Sequence, residues 1–239
     1  WIESAGWPAT RDVKLVPVAD RMVDGVFYVH DRANGQILVS VDAGMSFQPC
    51  ITGIPSVDAS QSTQLICATG AIRDLWLALP GHLLHLDFGI EQDQYCSDIQ
   101  RMWYVPADGE TSIPADVARA WAACWKAIDA GAALLRPGAI GWKVDEAART
   151  TLVAEGYPEY KHALGHGLGR VAHDGATLLG PRWDRYGQTP YGIVELGNVF
   201  TLELGVEVPG RGYVGLEEDV LVTEQGLEWL STPQRELWV

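Results

Sequence analysis

The spacing of apolar residues changes character along this chain, and each change predicts a different kind of element. Residues 1–80 carry short apolar or alternating runs, VFYV, QILVSV and DLWLAL, separated by turn residues such as DRANG and DAG. That pattern predicts strands and hairpins, with no helical period. A further hairpin is expected over 82–105, with strands at 83–88 and 95–105 and a turn near EQDQ. Beyond Pro114 the period lengthens. Val117, Trp121, Cys124, Trp125, Ile128, Ala132 and Leu135 recur at helical spacing, with Pro114 suited to the first turn and Pro137-Gly138 to the stop. A second, shorter helix is expected from Trp142 to Glu155, ended by Gly156. A histidine segment and the loop GPRWDRYGQTPYG lead into a last hairpin, VFTLELGVEV and GYVGLEEDVLV, turning at PGRG. The reading is an α+β chain, β-rich over 1–80 and mixed over 81–239.

The two hairpins that flank the helices each carry a pair of acids. A symmetric register centred between Gln92 and Asp93 sets Asp87 opposite Asp98, and a register centred on Gly210 sets Glu203 opposite Glu217. Directly opposed residues share a face, with Cβ atoms roughly 4.5–5.5 Å apart, where like charges repel. A cation between them turns that repulsion into coordination. Thr201, Gly205, Gly215 and Asp219 share the face of Glu203 and Glu217. Phe200, Leu202, Leu204, Val206, Val214, Leu216, Val220 and Val222 form the opposite, core face. Glu218 falls on that apolar face, and the pattern does not account for it. Between the hairpins lies His166, bracketed by glycines in GHGLGRVAHD. Four carboxylates and one imidazole are a sufficient ligand set for two divalent cations. Solvated hairpins with surface acids are the bland alternative.

The remaining histidines carry less. His162 and His166 have H-x-x-x-H spacing, but no glutamate stands at the metalloprotease position, and Gly165 and Gly167 argue against a regular helix, so His162 reads as structural or as a neighbour of the metal ligands. His82 and His85 read as strand-surface residues, with His85 on the face of Asp87.

Composition narrows the partners. The chain has 239 residues with 47% apolar content, enough for a core, and a net charge of −14 that argues against nucleic acid and anionic membranes. No apolar run reaches a membrane-spanning length. The chain begins at Trp1 without an initiator Met, which reads as a processed product or a fragment with any export signal unreadable. Cys50, Cys67, Cys96 and Cys124 show no C-x-x-C spacing and read as small apolar residues or an unassignable disulfide. The ten tryptophans suit a packed core or a carbohydrate-binding surface.

From about residue 81 onward the chain resembles the pita-bread metallopeptidase superfamily of methionine aminopeptidases, Xaa-Pro dipeptidases, aminopeptidase P and creatinase. The matching strings, in the family's order, are LLHLDFG, YCSDIQRMW, LRPGAIGWKVDEAAR, HALGHGLGRVAHDG, GNVFTLELGV and GYVGLEEDVLVTEQGLEWLS. The resemblance implies a dinuclear metal-dependent peptidase, of Xaa-Pro dipeptidase or aminopeptidase type, acting on short peptides. Asp87, Asp98, His166, Glu203 and Glu217 would hold two divalent ions, Mn²⁺, Co²⁺, Fe²⁺ or Zn²⁺. Glu203 would also accept the proton of a water held between them, and His173 would contact substrate and stabilise the tetrahedral intermediate. A cytoplasmic protein, with a homodimer admitted, goes with that likeness. The family's other half-domain precedes the first aspartate and contributes another histidine. Residues 1–80 read differently, and Gly70 to Pro80 contains no histidine, so the pita-bread domain would be truncated.

Those first residues resemble instead an Asp-box β-propeller blade of sialidase or xyloglucanase type, because SVDAGMSF (40–47) fits S-x-D-x-G-x-x-(W/F). Asp42 would cap backbone N–H groups, Gly44 would take a positive φ, and Phe47 would pack beneath. LDFG at 86–89 echoes VDAG at 41–44, which gives Asp87 a rival reading as a second turn residue. On this view the chain joins a propeller-like piece to a truncated metallopeptidase near 80–90. Two alternatives to a peptidase follow: a non-catalytic pita-bread relative that binds a peptide or partner, and a carbohydrate-binding or glycoside-hydrolase-related protein.

Overall fold

A computed structural model describes residues 4–7, 15–56, 63–67, 75–175 and 177–239. The chain divides into two compact units, one of residues 1–82 and 105–111, the other of residues 83–104 and 112–239.

In the first unit, strands β1 (Val18–Ala19), β2 (Phe27–Asp31), β3 (Gln36–Ser40) and β4 (Gln48–Thr52) form an antiparallel sheet in chain order. A second pair, β5 (Gln64–Cys67) and β6 (Leu75–Ala78), forms its own two-stranded sheet, with Leu65 and Leu75 packed against the Tyr28 and Ile37 cluster. Alternation along β2 and β3 sends Tyr28 and Ile37 into one apolar cluster and Val29 and Leu38 into another, so these two strands are buried on both faces, while β4 is exposed. The Asp42 turn has the expected chemistry. The Asp42 carboxylate accepts from the Ser46 N–H at 2.9 Å and from the Ser40 hydroxyl at 2.7 Å. Gly44 sits at φ 86°, joined by Ala43 at φ 60°. Phe47 is buried edge-on to Trp7.

The second unit is built on the strands β7 (His82–Phe88), β8 (Glu91–Gln92), β9 (Tyr95–Cys96), β10 (Ile99–Val105), β11 (Val199–Val208), β12 (Gly212–Thr223) and β13 (Gly226–Trp229). Its main sheet runs β11-β12-β10-β7, with β13 beside β12. Helices α1 (Ala115–Ala132) and α2 (Gly141–Ala154) pack on each other, and α1 packs on β11 and β12. Helix α1 stops five residues short of Pro137: Ala133 N–H donates to the Asp129 carbonyl, Leu134 N–H donates to that of Gly131, and Leu135 turns into the core instead of extending the helix. The α1 face read from the sequence is buried at Val117, Trp121, Cys124, Trp125 and Ile128. All eight apolar positions read from the last hairpin are buried as well. Trp121 and Trp125 lie in this core, each donating its indole N–H to a carbonyl, of Arg235 and Gln234. That is core use of tryptophan, with the polar handle satisfied.

Among the described residues Cys96 and Cys124 are free thiols, and no helix is long and apolar enough to cross a membrane. The side chain of Cys67 and the stretch around Gly70 lie outside the described residues.

Candidate metal centre

The last hairpin sets the geometry of the site. Its turn, Pro209 to Arg211, closes the register centred on Gly210, and Glu203 is the direct partner of Glu217. Both carboxylates therefore leave the sheet on one face, with Thr201, Gly205, Gly215 and Asp219. Strand β10 lies against β12 with Gln100 paired to Glu217, which brings Asp98, two residues earlier, to the same face. The Asp98 backbone N–H is fixed by Asp219 Oδ2 at 3.1 Å.

The first hairpin differs from the expected register. Gln92 pairs with Tyr95, so the turn is Asp93-Gln94, both at positive φ, and the centre sits one residue later than a direct Asp87–Asp98 pair requires. The strands are also interrupted at Gly89-Ile90 and Ser97-Asp98, where a Cβ on Gly89 would lie 2.0 Å from the Ser97 carbonyl oxygen. Asp87 consequently faces Gln100, whose Nε2 is 3.5 Å from Asp87 Oδ2. Asp87 is the exposed member of the acidic set. Its charge still reaches the group, since it raises the pKa of Asp98 and Glu203.

His166 arrives on a segment that runs beside β11 without being a regular strand. Glu203 N–H donates to the Leu164 carbonyl at 2.6 Å, Thr201 N–H to the His166 carbonyl at 3.0 Å, and Leu168 N–H to the Val199 carbonyl at 3.0 Å. On its other side Gly165 exchanges both backbone bonds with Leu179. A chain threaded between two backbones has no room for a side chain. A Cβ on Gly165 would lie 1.9 Å from the Thr201 carbonyl oxygen, and one on Gly167 would lie 2.2 Å from that of Asp174. These contacts, and not left-handed φ values, are what the two flanking glycines serve. The same packing excludes a helix through His162, whose own carbonyl is held by Arg149.

The groups converge. One donor atom each from Asp98, His166 and Glu217 lie within 4.8 Å of one another. His166 Nε2 is 3.9 Å from Asp98 Oδ2, 3.9 Å from Glu217 Oε1 and 4.0 Å from Glu203 Oε1. His173, on the loop closed by Asp174, stands edge-on to His166 with ring centroids 4.1 Å apart. Beside them is a cleft of about 360 Å³ lined by His162, His166, His173, Tyr186, Thr189 and Glu203, among others.

Electrostatics make this an unusual place for acids. Glu217 is 3% exposed, and burial followed by repulsion from Glu203 and Asp98 pushes its carboxyl up to about 9. Burial, then Asp98 and Asp87, pushes Glu203 to about 7. Burial raises Asp219 to about 6 and lowers His166, which favours the neutral imidazole, the form that can ligate a metal. Among the described residues no lysine or arginine is ion-paired with Asp98, Glu203 or Glu217. A buried set of carboxylates with a neutral imidazole and no resident counter-charge fits a divalent cation by donor type and by spacing.

Two residues of the site were not picked out from the sequence. Gln100 bonds Glu217 and His85, and the period-two spacing from Asp98 was the signal available for it. Arg101 answers the misplaced Glu218. It reaches that carboxylate with two bonds, at 3.1 and 3.2 Å, while Ser231 and the Gln234 N–H supply two more.

Residues 36–224 match the sequence pattern described as Metallopeptidase family M24. An uncharacterised peptidase of Bacillus subtilis is 33% identical over 95% of this chain and 68% of its own length. An Xaa-Pro dipeptidase of Pyrococcus horikoshii is 32% identical over 66% of this chain and 41% of its own. Among solved structures, an X-Pro aminopeptidase from Thermotoga maritima superposes with a TM-score of 0.59 at 30% identity, over 72% of this chain and 45% of that one. The chain thus spans less than half the length of the dipeptidase and the aminopeptidase. The family match begins at residue 36 and passes through both the Asp42 turn and residues 80–90. The likeness to a propeller blade gains no support from these relatives, and the Asp42 turn stands as a local structure.

Proposed function

The chain belongs to metallopeptidase family M24, and from that membership we propose that it is a dinuclear metal-dependent peptidase of Xaa-Pro dipeptidase or aminopeptidase type. The observation that carries the reading is the meeting of Asp98, His166 and Glu217 donor atoms within 4.8 Å, with Glu203 at 4.0 Å from the same imidazole. Asp87, Asp98, His166, Glu203 and Glu217 would hold two divalent ions. Mixed carboxylate and imidazole ligation suits Mn²⁺, Co²⁺, Fe²⁺ or Zn²⁺ without selecting sharply among them. The chemistry such ions supply when bound is polarisation of a scissile carbonyl and a lowered pKa for the attacking water.

The protein's own groups do the rest. Glu203, which lines the cleft 4.0 Å from His166 Nε2, would take a proton from the attacking water and return it to the leaving amine. His173, at the cleft and against His166, is placed to donate to the carbonyl oxygen as charge develops there. The cleft accepts a short peptide. Its buried floor and the crowded Gly165–Thr201 contact fix the His166 ring before substrate arrives.

Calorimetric titration of the metal-free protein with Mn²⁺ and Co²⁺, followed by assay on an Xaa-Pro dipeptide and an Xaa-Pro tripeptide, tests the reading. Uptake of two ions with release of the N-terminal residue is the expected result, and no metal uptake ends it. Two-ion uptake with neither peptide cleaved would favour a pita-bread protein that binds metal and peptide without cleavage.

A further inference from the structure

Gln100 is an uncharged side chain set among the acids, and each polar atom of its amide is committed. It is 8% exposed on β10. Its Nε2 lies 2.8 Å from Glu217 Oε2 and 3.5 Å from Asp87 Oδ2, and its Oε1 lies 2.8 Å from His85 Nε2. The orientation of the amide follows from its neighbours. The NH₂ end faces Glu217 and Asp87, and the carbonyl end faces His85 Nε2.

We propose that Gln100 is a positioning residue that presets the two hairpins' carboxylates for the cation pair, a role that rests on the metal-centre reading above. Three features carry it. First, the amide bridges acids from different strands, Asp87 of β7 and Glu217 of β12, and so ties the two hairpins at the level of the site. Second, it occupies Oε2 of Glu217 and leaves Oε1, the oxygen 3.9 Å from His166 Nε2, toward the cluster. It therefore decides which oxygen each carboxylate offers. Third, it does so without charge. A lysine or arginine at this place would neutralise the acids and compete with cations, whereas a neutral donor orients the lone pairs and leaves the negative charge for the ion. His85 locks the amide from behind. The absence of a Cβ at Gly215 makes room for both, since an added one would lie 2.6 Å from Gln100 Oε1 and 2.8 Å from His85 Nε2.

The experiment compares the metal-free parent with Gln100→Met and Gln100→Asn. Each is titrated with Co²⁺ by calorimetry while the visible absorption of bound Co²⁺ is recorded, and a thermal melt of each metal-free protein reports folding. Gln100→Met keeps length and loses the amide, and Gln100→Asn keeps the amide but falls a methylene short of Glu217. Both are expected to bind Co²⁺ roughly 10–100-fold more weakly, the usual effect of removing a ligand's hydrogen-bond partner, with an altered Co²⁺ spectrum. Where Gln100→Met gives no folded protein, Gln100→Asn decides by the same reading. Parental affinity and spectrum in a folded variant overturn the assignment of Gln100 and leave the metal centre standing. A parent that takes up no Co²⁺ overturns the metal centre, and this role with it.

Discussion

Arg101 and Glu218 form a buried ion pair with two bonds, directly behind the face that carries Gln100 and Glu217. The pair explains how a strand can hold two consecutive glutamates on opposite sides of a sheet. Glu217 turns to the acidic cluster, and Glu218 turns inward to a guanidinium that supplies its counter-charge and two hydrogen bonds, with Ser231 and the Gln234 N–H supplying two more. Removing one partner leaves an uncompensated charge in the core. Arg101→Ala is expected to cost about 3–5 kcal/mol in urea unfolding. The double variant Arg101→Met with Glu218→Leu should recover most of it. Equal losses in the single and double variants would count against the pairing.

Gly165 is expected to be intolerant of even one methyl group. Its Cβ would lie 1.9 Å from the Thr201 carbonyl oxygen, which is backbone and has nowhere to go. Overpacking of this kind costs about 1–3 kcal/mol. Because the neighbouring residue is His166, Gly165→Ala should also weaken Co²⁺ binding, by calorimetry, by more than its loss of thermal stability alone would produce.

Replacement of His166 by Ala removes the only nitrogen ligand proposed and the ring that meets three of the acids. Loss of at least one of two bound ions is the expected outcome, read by metal content after dialysis. Glu203→Gln, in contrast, should retain metal more nearly while losing peptide hydrolysis, because the proton acceptor is gone. Equal metal loss in both would assign Glu203 to ligation alone.

The Asp42 turn has a pH signature of its own. Bonds from the Ser46 hydroxyl and N–H, then from Ser40, hold its carboxyl down at about 2, below the ordinary 3.8. A carboxyl lowered in the folded state stabilises above its unfolded value and loses that contribution as pH falls through its folded one. The turn's contribution is therefore present above about pH 3.8 and disappears toward pH 2. An NMR titration should find Asp42 among the last carboxyls to protonate, and Ser46→Ala should move its midpoint upward. An unshifted midpoint in the parent would contradict the bonding described.

The gathered Gln234 contacts make a last expectation concrete. Its side chain bonds both the N–H and the carbonyl of Met102, at 2.9 and 2.7 Å, while its backbone N–H reaches Glu218 at 2.8 Å. Gln234→Ala leaves two buried backbone groups of β10 unpaired, at about 1–3 kcal/mol for each unsatisfied group. Hydrogen exchange of the Met102 amide should accelerate sharply in that variant.

Legibility in the sequence followed the range of the forces involved. The Glu203–Glu217 pairing was readable because a short hairpin turn and a period of two fix register locally, and the apolar alternation of β11 and β12 permits no slip. The α1 core face was readable for the same reason, as a period of 3.6 within one segment. The first hairpin was not readable to the residue, since the interruptions at Gly89 and Ser97 and a turn at Asp93-Gln94 depend on backbone contacts that leave no periodic trace.

What the chain's residue order determined alone was therefore which side chains share a face within each hairpin and each helix. The tertiary structure decided which faces meet: that His166 is pinned along β11 by its backbone, that Gln100 stands between Asp87 and Glu217, and that Arg101 waits for Glu218. Those are contacts between residues from 13 to 117 positions apart. No local pattern encodes them, because they form only when strands distant in the chain are packed side by side and each buried polar group must find a partner.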